Sequence, residues 1–323
     1  MARRYLVTGG AGFIGSNFIR SVLEAERNAS IVNLDSLTYA GVQATIGELN
    51  ADDRHSFVRG DIRDPELVDR LVSKADVLVH FAAESHVDRS IRGPSPFLET
   101  NVIGTGVLID AARRHDVSRF VHVSTDEVYG SISEGFASED DRVQPSSPYS
   151  ASKAAADLLV GAYAVTFGYG AIVTRCTNNF GPYQFPEKVI PLFVTNLLDA
   201  RAVPLFGDGR NERDWLHVTD HCSAIRLLID AGQPGEIYNV GADNQLTNLE
   251  LAHRILEHLG YDDSMIERVP DRPGHDLRYA VDSSKIRGLG WKPEHDFDEY
   301  LADTIDWYRR RRDWWEPLRK AVS

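Results

Sequence analysis

The apolar positions of this chain come in short unbroken runs. Tyr5-Leu6-Val7, Ile31-Val32-Asn33-Leu34-Asp35, Val77-Leu78-Val79-His80-Phe81, Phe120-Val121-His122-Val123 and Ala171-Ile172-Val173 are the clearest. Runs of this kind mark strands covered on both faces, as in parallel sheets. Phe57-Val58, leading into Gly60-Asp61-Ile62, reads as another strand end. Between the runs, apolar residues fall at helical spacing: Phe18, Ile19, Val22 and Leu23; Leu67, Val68 and Leu71 within 65–74; Phe97, Val102, Val107, Leu108 and Ala111 within 94–116. A further helix is predicted over 149–167. Strand and helix alternate, which predicts an α/β fold around a parallel sheet. Later, Val203-Pro204-Leu205-Phe206 reads as a strand and 249–259 as a helix capped by Asn248. The Arg-rich pattern over 297–312 predicts an amphipathic outer helix, largely solvated.

Length changes this picture. With 323 residues, the chain suits a large α/β domain plus a smaller one. The expected division is 1–176 and 177–323, with some of the later chain crossing back to the first sheet. Charge and cysteines narrow the partners. A formal net charge of −13 disfavours nucleic acid and anionic membranes. Cys176 and Cys222 are the two cysteines and stand in no metal spacing. A reducing cytosol and no metal site are expected. Arg3 and Arg4 precede an apolar stretch, but Gly9, Gly10, Gly12 and Gly15 spoil it as a signal-peptide core. No apolar run is long enough to span a bilayer.

The candidate chemistry sits at the strand ends. The strand Tyr5-Leu6-Val7 runs into Gly9-x-x-Gly12-x-x-Gly15 and then a helix. That arrangement binds a dinucleotide pyrophosphate at a helix N-terminus, although glycine turns also arise for steric reasons alone. Asp35 ends the second strand at about the ~20-residue offset expected of a ribose-binding acid. It would accept hydrogen bonds from ribose hydroxyls and repel a 2′-phosphate, favouring NAD over NADP. A plain strand-end aspartate is the other reading. Asp61 and Ile62 are placed to flank an adenine. Ala82-Ala83-Glu84-Ser85 supplies small residues at the next strand end.

The stretch 124–153 carries the most. Ser124-Thr125-Asp126-Glu127 follows the Phe120 run, and Tyr149 and Lys153 stand four apart at a helix start, on one face. A tyrosine base has a free pKa of about 10, and bringing it toward neutrality requires about 4 kcal/mol of differential stabilisation. An ammonium beside it favours the phenolate, so Lys153 is expected to lower the Tyr149 pKa. Tyr-x-x-x-Lys is also an ordinary exposed helix pair. Asp126 and Glu127 would face opposite ways on a regular strand, so both serve one substrate only if the strand has ended by Asp126. Two acids in a solvated loop are the alternative.

Taken together, the glycine turn, Asp35 and the Tyr149/Lys153 helix resemble the extended short-chain dehydrogenase/reductases acting on nucleotide sugars. Thr125-Asp126-Glu127, Ala82-Ala83-Glu84-Ser85-His86-Val87-Asp88-Arg89-Ser90 and Asp271-Arg272-Pro273-Gly274-His275-Asp276 resemble the dTDP-glucose 4,6-dehydratases among them. The resemblance covers nearly the whole chain. The loop 130–145 and the C-terminal end are short for that family.

The resemblance implies a Rossmann-type doubly wound parallel sheet with a smaller C-terminal α/β substrate-binding domain, NAD as cofactor, dTDP-glucose as substrate and a homodimer. It implies cofactor contacts from Gly9, Gly12, Phe13, Ile14, Gly15, Asp35, Ser36, Leu37, Thr38, Asp61, Ile62, Phe81, Ala82, Ala83, Ser85, Thr100, Tyr149, Lys153 and Asn179. Substrate contacts would come from Ser85, Thr125, Asp126, Glu127, Asn178, Lys188, Val189, Pro204, Phe206, Arg213, Asn248, Arg272 and His275. Arg213 and Arg272 would clamp the diphosphate, since guanidinium forks match phosphate oxygens; surface arginines would need no anion. His275 is equally readable as a structural histidine. Tyr149 would act as base for oxidation at carbon 4, with Thr125 on the same oxygen. Glu127 would take the carbon 5 proton, and Asp126, protonated at the outset, would protonate the leaving hydroxyl at carbon 6. A 4-epimerase or decarboxylase of the same class would share Tyr149, Lys153 and Asp35 but need no acid pair. A silent NAD-binding protein would show damage in the Tyr/Lys/Thr set, and there is none.

Overall fold

In a computed structural model that describes residues 2–322, the strands are β1 Arg4–Thr8, β2 Ser30–Asp35, β3 His55–Arg59, β4 Val77–His80, β5 Arg119–Thr125, β6 Ile172–Cys176, β7 Asn178–Phe180, β8 Val203–Phe206, β9 Glu212–His217, β10 Ile237–Val240, β11 Gln245–Thr247 and β12 Ile266–Val269. Seven of them form one sheet in the order β10-β6-β5-β4-β1-β2-β3, and every pairing in it is parallel. The order reverses between β1 and β4, the point at which open α/β sheets bind ligands at their carboxyl edge. The buried Leu6, Val7, Leu78, Val79 and Val121 fill the sheet centre. Helices Phe13–Ala25 and Val218–Ala231 pack together over one face, and Pro65–Val72 and Thr105–Arg114 over the other.

β1 and β4 approach so closely that a Cβ on Gly9, whose φ is +74°, would lie 2.5 Å from the Ala82 amide nitrogen. Only glycine fits that turn. β10 lies in the second half of the chain yet pairs with β6, Ile237 opposite Val173. The rest of that half builds a smaller α/β layer from β11-β9-β7 and β12-β8. Its own core includes Phe180, Phe193, Trp215, Ile255, Tyr308 and Trp315. The loop 130–145 is stitched down: the Ile132 and Ala137 amides donate to the Arg278 and Ala280 carbonyls, and Gln144 donates to Val128.

Three expectations need correction. The segment 94–116 is not one regular α-helix: Leu98–Gly104 is a π-helical stretch between Ser95–Phe97 and Thr105–Arg114. The wider winding coincides with Asn101, whose side-chain amide brackets Glu84 through its N–H and C=O and also donates to Ser152. Such bulges are common where a side chain must be re-aimed. Asn248 is not the cap of Asn248–Leu259; Thr247 is, in a reciprocal capping box with Glu250. The helix Phe297–Arg310, which a further helix Arg312–Val322 follows, is not merely solvated, because Phe297, Leu301, Ile305 and Tyr308 are buried against the smaller layer.

Candidate active site

A cavity of about 420 Å³ runs along the carboxyl edge of the seven-stranded sheet. Its wall includes Gly9, Gly12, Phe13, Ile14 and Gly15 from the first turn, then Asp35, Ser36 and Thr38, Asp61 and Ile62, Phe81, Ala82, Ala83 and Ser85, and Thr100. Thr125, Asp126, Glu127, Tyr149, Lys153, Asn178, Asn179 and Lys188 belong to it too. Residues scattered over most of the chain are thus brought to one cleft. Leu37, Val189, Pro204, Phe206, Arg213, Asn248, Arg272 and His275 are not part of that wall. Leu37 instead donates its amide to Asp35. Val189 opens the helix directly after Lys188. Phe206 meets His275 edge-on, and His275 is bonded to Asp271 at 2.6 Å. Arg213 is buried, donates to the Glu212 and Asp276 carbonyls and covers the Tyr279 ring at 4.1 Å. Arg272 faces Asp88 at 3.8 Å. Arg213, Arg272 and Lys188 nevertheless all act electrostatically on Glu127, so positive charge converges on one end of the cleft.

Sequence reasoning missed part of the wall. Tyr39, Glu84, Gln184, Phe185 and Glu187 line it as well. Gln184, Phe185 and Glu187 belong to a Pro-, Gly- and aromatic-rich loop whose composition is a signal. Tyr39 has none, since only the fold puts its ring under the Arg89 guanidinium at 3.7 Å.

The reactive groups depend on how β5 ends. Extended backbone stops at Thr125, whose hydroxyl accepts the Glu127 amide at 3.3 Å, and Asp126–Tyr129 coils into a 3₁₀ turn. The strand alternation is broken there, and both acids meet the same cleft. Asp126 is 3% exposed and one of its carboxylate oxygens has no partner. Burial, then the neighbouring Glu127 charge, push its carboxyl well above the usual range. Glu127 is raised by burial too, with Arg213, Arg272 and Lys188 opposing. The pair titrates as a unit, and Asp126 is the member held protonated.

Tyr149 does not carry the lowered pKa expected from Lys153. Burial, then the Glu127 charge, push the phenol well above its ordinary value, with the Thr125 hydroxyl pulling the other way. Lys153 itself is lowered to about 8 by burial and donates to the Val123 carbonyl at 2.8 Å. In a cleft this dry and this acidic, the neutral phenol is the favoured form.

Comparison with known proteins settles the family. A family model described as GDP-mannose 4,6 dehydratase matches residues 6–304. A dTDP-glucose 4,6-dehydratase of Streptomyces antibioticus is 55% identical over 98% of this chain and 96% of its own. A crystal structure of the dTDP-glucose 4,6-dehydratase of Streptomyces venezuelae, with NAD and a second ligand bound, superposes with a TM-score of 0.95 at 54% identity, covering 98% of this chain and 99% of the other. The Bacillus anthracis dTDP-glucose 4,6-dehydratase, in complex with NAD, gives 0.92 at 45% identity, covering 98% and 100%. The chain belongs to the dTDP-glucose 4,6-dehydratase family. The cleft of this dehydratase relative also fits the cofactor seen in those structures. No side chain caps the helix Phe13–Ala25, which leaves its first amides facing the cavity for a pyrophosphate. Asp35 is buried and steadied by the Ala11 and Leu37 amides at 2.9 and 2.8 Å.

Burying Asp126 has a stability consequence. Its folded-state pKa lies above the unfolded value, so stability is lost as pH rises through the window between them. Asp126→Asn removes that loss. The variant is expected to melt roughly 1–3 °C above the wild type at neutral pH. The advantage should vanish below the unfolded aspartate pKa of about 3.9. Scanning calorimetry across pH checks this, and a variant less stable at every pH would contradict it.

Proposed function

We propose that this protein dehydrates dTDP-glucose to dTDP-4-keto-6-deoxyglucose, with the site residues in the roles that the cleft allows. One observation supports the reading above the others: Asp126 and Glu127 share the cleft that also holds Tyr149, Lys153 and Thr125. An oxidation alone needs only a base such as Tyr149; removing water across carbons 5 and 6 needs a second base and an acid. Bound in the cleft, NAD would supply a hydride acceptor for carbon 4 and a hydride source for carbon 6, and its positive charge would favour the phenolate. The glycine turn and Asp35 would hold it, with Asp35 selecting against a 2′-phosphate.

The steps assigned to this chain follow from its electrostatics. Tyr149, with Lys153 and Thr125 beside it, takes the hydroxyl proton at carbon 4. The resulting ketone acidifies carbon 5, and Glu127 takes that proton as a carboxylate. Asp126, kept neutral by burial, protonates the departing hydroxyl at carbon 6. Arg213, Arg272, Lys188 and Asn178 would hold the diphosphate and sugar, and residues 177–323 would form most of the nucleotide-sugar side. No helix among the described residues is long and apolar enough to cross a membrane, in keeping with a cytoplasmic biosynthetic enzyme.

Incubation with dTDP-glucose, followed by the ultraviolet absorbance of a 4-keto sugar in base, tests the activity. Tyr149→Phe should remove all reaction. Glu127→Gln should still oxidise carbon 4 and show a reduced-cofactor signal with substrate, while forming little product. Equal early oxidation in both variants would mean that the roles are misassigned.

The fate of hydrogen separates a dehydratase from an epimerase. Substrate deuterated at carbon 4, mixed with unlabelled substrate in ordinary water, should give deuterium at carbon 6 without scrambling between molecules. Carbon 5 should carry solvent hydrogen. Label returned to carbon 4 would favour an epimerase.

The protein is expected to be a homodimer. Leu98 and Ile103 on one helical segment, and Leu158, Val165 and Phe167 on Pro148–Phe167, are large apolar side chains left exposed. The two segments pack side by side, which suits a four-helix interface with a second copy. Sedimentation at micromolar concentration should give the dimer mass; a monomer would reject the interface.

A further inference from the structure

Behind Lys153, away from the cleft, lies a group of buried ionisable side chains that the steps above do not use. Asp157 stands four residues after Lys153 on the helix Pro148–Phe167, on the same face. Its carboxylate is reached by Arg175 Nε at 2.9 Å and His122 Nε2 at 3.4 Å. Arg175 is tied onward, Nη1 donating to the Tyr129 hydroxyl at 2.9 Å, and Tyr129 donates to Asn239 at 2.8 Å. Asp157, His122 and Arg175 are all buried, and His122 is fully enclosed. A carboxylate in such a place is costly unless it is paired and something needs its charge.

Lys153 has that need. It is 4% exposed, and its one hydrogen bond is to the Val123 carbonyl. The ionisable groups around it can be taken element by element. Its own helix contributes Tyr149 and Asp157. β4 contributes His80, and β5 contributes His122. β6 contributes Cys176 beside it and Arg175 through Asp157, and the 3₁₀ turn brings Asp126 and Glu127 to the same cleft wall. Both histidines are held neutral by burial, His122 at about 4. Cys176 is pushed up to about 12 by burial and stays a thiol. Burial works against the charge of Asp157, but His122 and Arg175 outweigh it and hold the carboxyl below its ordinary value. Among all these groups, the Asp157 charge is the strongest influence opposing the desolvation of Lys153.

We propose that Asp157, paired with Arg175 and lying beside His122, is a positioning residue that keeps Lys153 charged behind Tyr149. Its effect on turnover rests on the dehydratase reading of the cleft; its effect on Lys153 does not. Without the carboxylate, Lys153 is left with its desolvation, which favours the neutral amine. Tyr149, four residues earlier on the same helix face, then loses a cation on its side of the cleft.

The test is Asp157→Asn, read in two ways. The first is the pH midpoint at which Lys153 becomes reactive toward a small acylating reagent, followed by peptide mass spectrometry. The wild-type midpoint is expected near 8, as burial dictates, and the variant's about one pH unit lower. The second readout is the pH profile of turnover with dTDP-glucose, whose alkaline limb should move down with the labelling midpoint. A merely structural role would lower the rate at every pH and leave the midpoint where it was, and that result would overturn the inference. A wild-type protein that labels as expected but forms no keto sugar would instead overturn the dehydratase reading. If the amide variant does not fold, Asp157→Ser removes the same charge from a smaller side chain and must show the same displacement.

Discussion

The carboxyl end of β5 is where extended backbone gives way to a 3₁₀ turn, with the Thr125 hydroxyl accepting the Glu127 amide. Had the strand continued, alternation would have sent Asp126 and Glu127 to opposite faces of the sheet. Stopping it at Thr125 turns two neighbouring acids toward one cleft, and burial then separates their duties. Asp126 is sealed enough to prefer its proton. Glu127 opens further into the cleft and feels three cations.

Desolvation is the common agent across the cleft. It raises Asp126, Glu127 and Tyr149, and it lowers Lys153. Each shift runs against the charged form, so every charge that the reaction uses has to be supplied by a placed neighbour. Arg213, Arg272 and Lys188 do this for Glu127, and Asp157 does it for Lys153. For Tyr149 burial prevails in the protein alone, and the phenol stays protonated.

The sheet supplies the rigidity that these electrostatics need. β1, β4, β5 and β6 are buried parallel neighbours, and the loops at their carboxyl ends carry Gly9, Ala82, Asp126 and Asn178. The π-helical turn at Asn101 adds a second support, fixing Glu84 by two hydrogen bonds and reaching Ser152 one residue from Lys153. The C-terminal half is bound into the same frame through β10 and through Val218–Ala231, which pack on the sheet that carries the glycine turn.

Much of this was legible in the residues themselves. Unbroken apolar runs announced buried parallel strands, and the glycine spacing, Asp35 and the Tyr149/Lys153 pair are local patterns that keep their meaning wherever the chain folds. Thr125-Asp126-Glu127 identified the acid pair in the same way. Three things had to wait for the tertiary structure. The charge states of Tyr149 and Lys153 depend on how much water the whole cleft excludes, which no local pattern records. The places of Tyr39, Arg213 and Asn101 follow from contacts between segments far apart in the chain. The His122–Asp157–Arg175 cluster draws on two strands and a helix; its members are unremarkable in sequence and acquire a role only when the sheet closes them off behind Lys153.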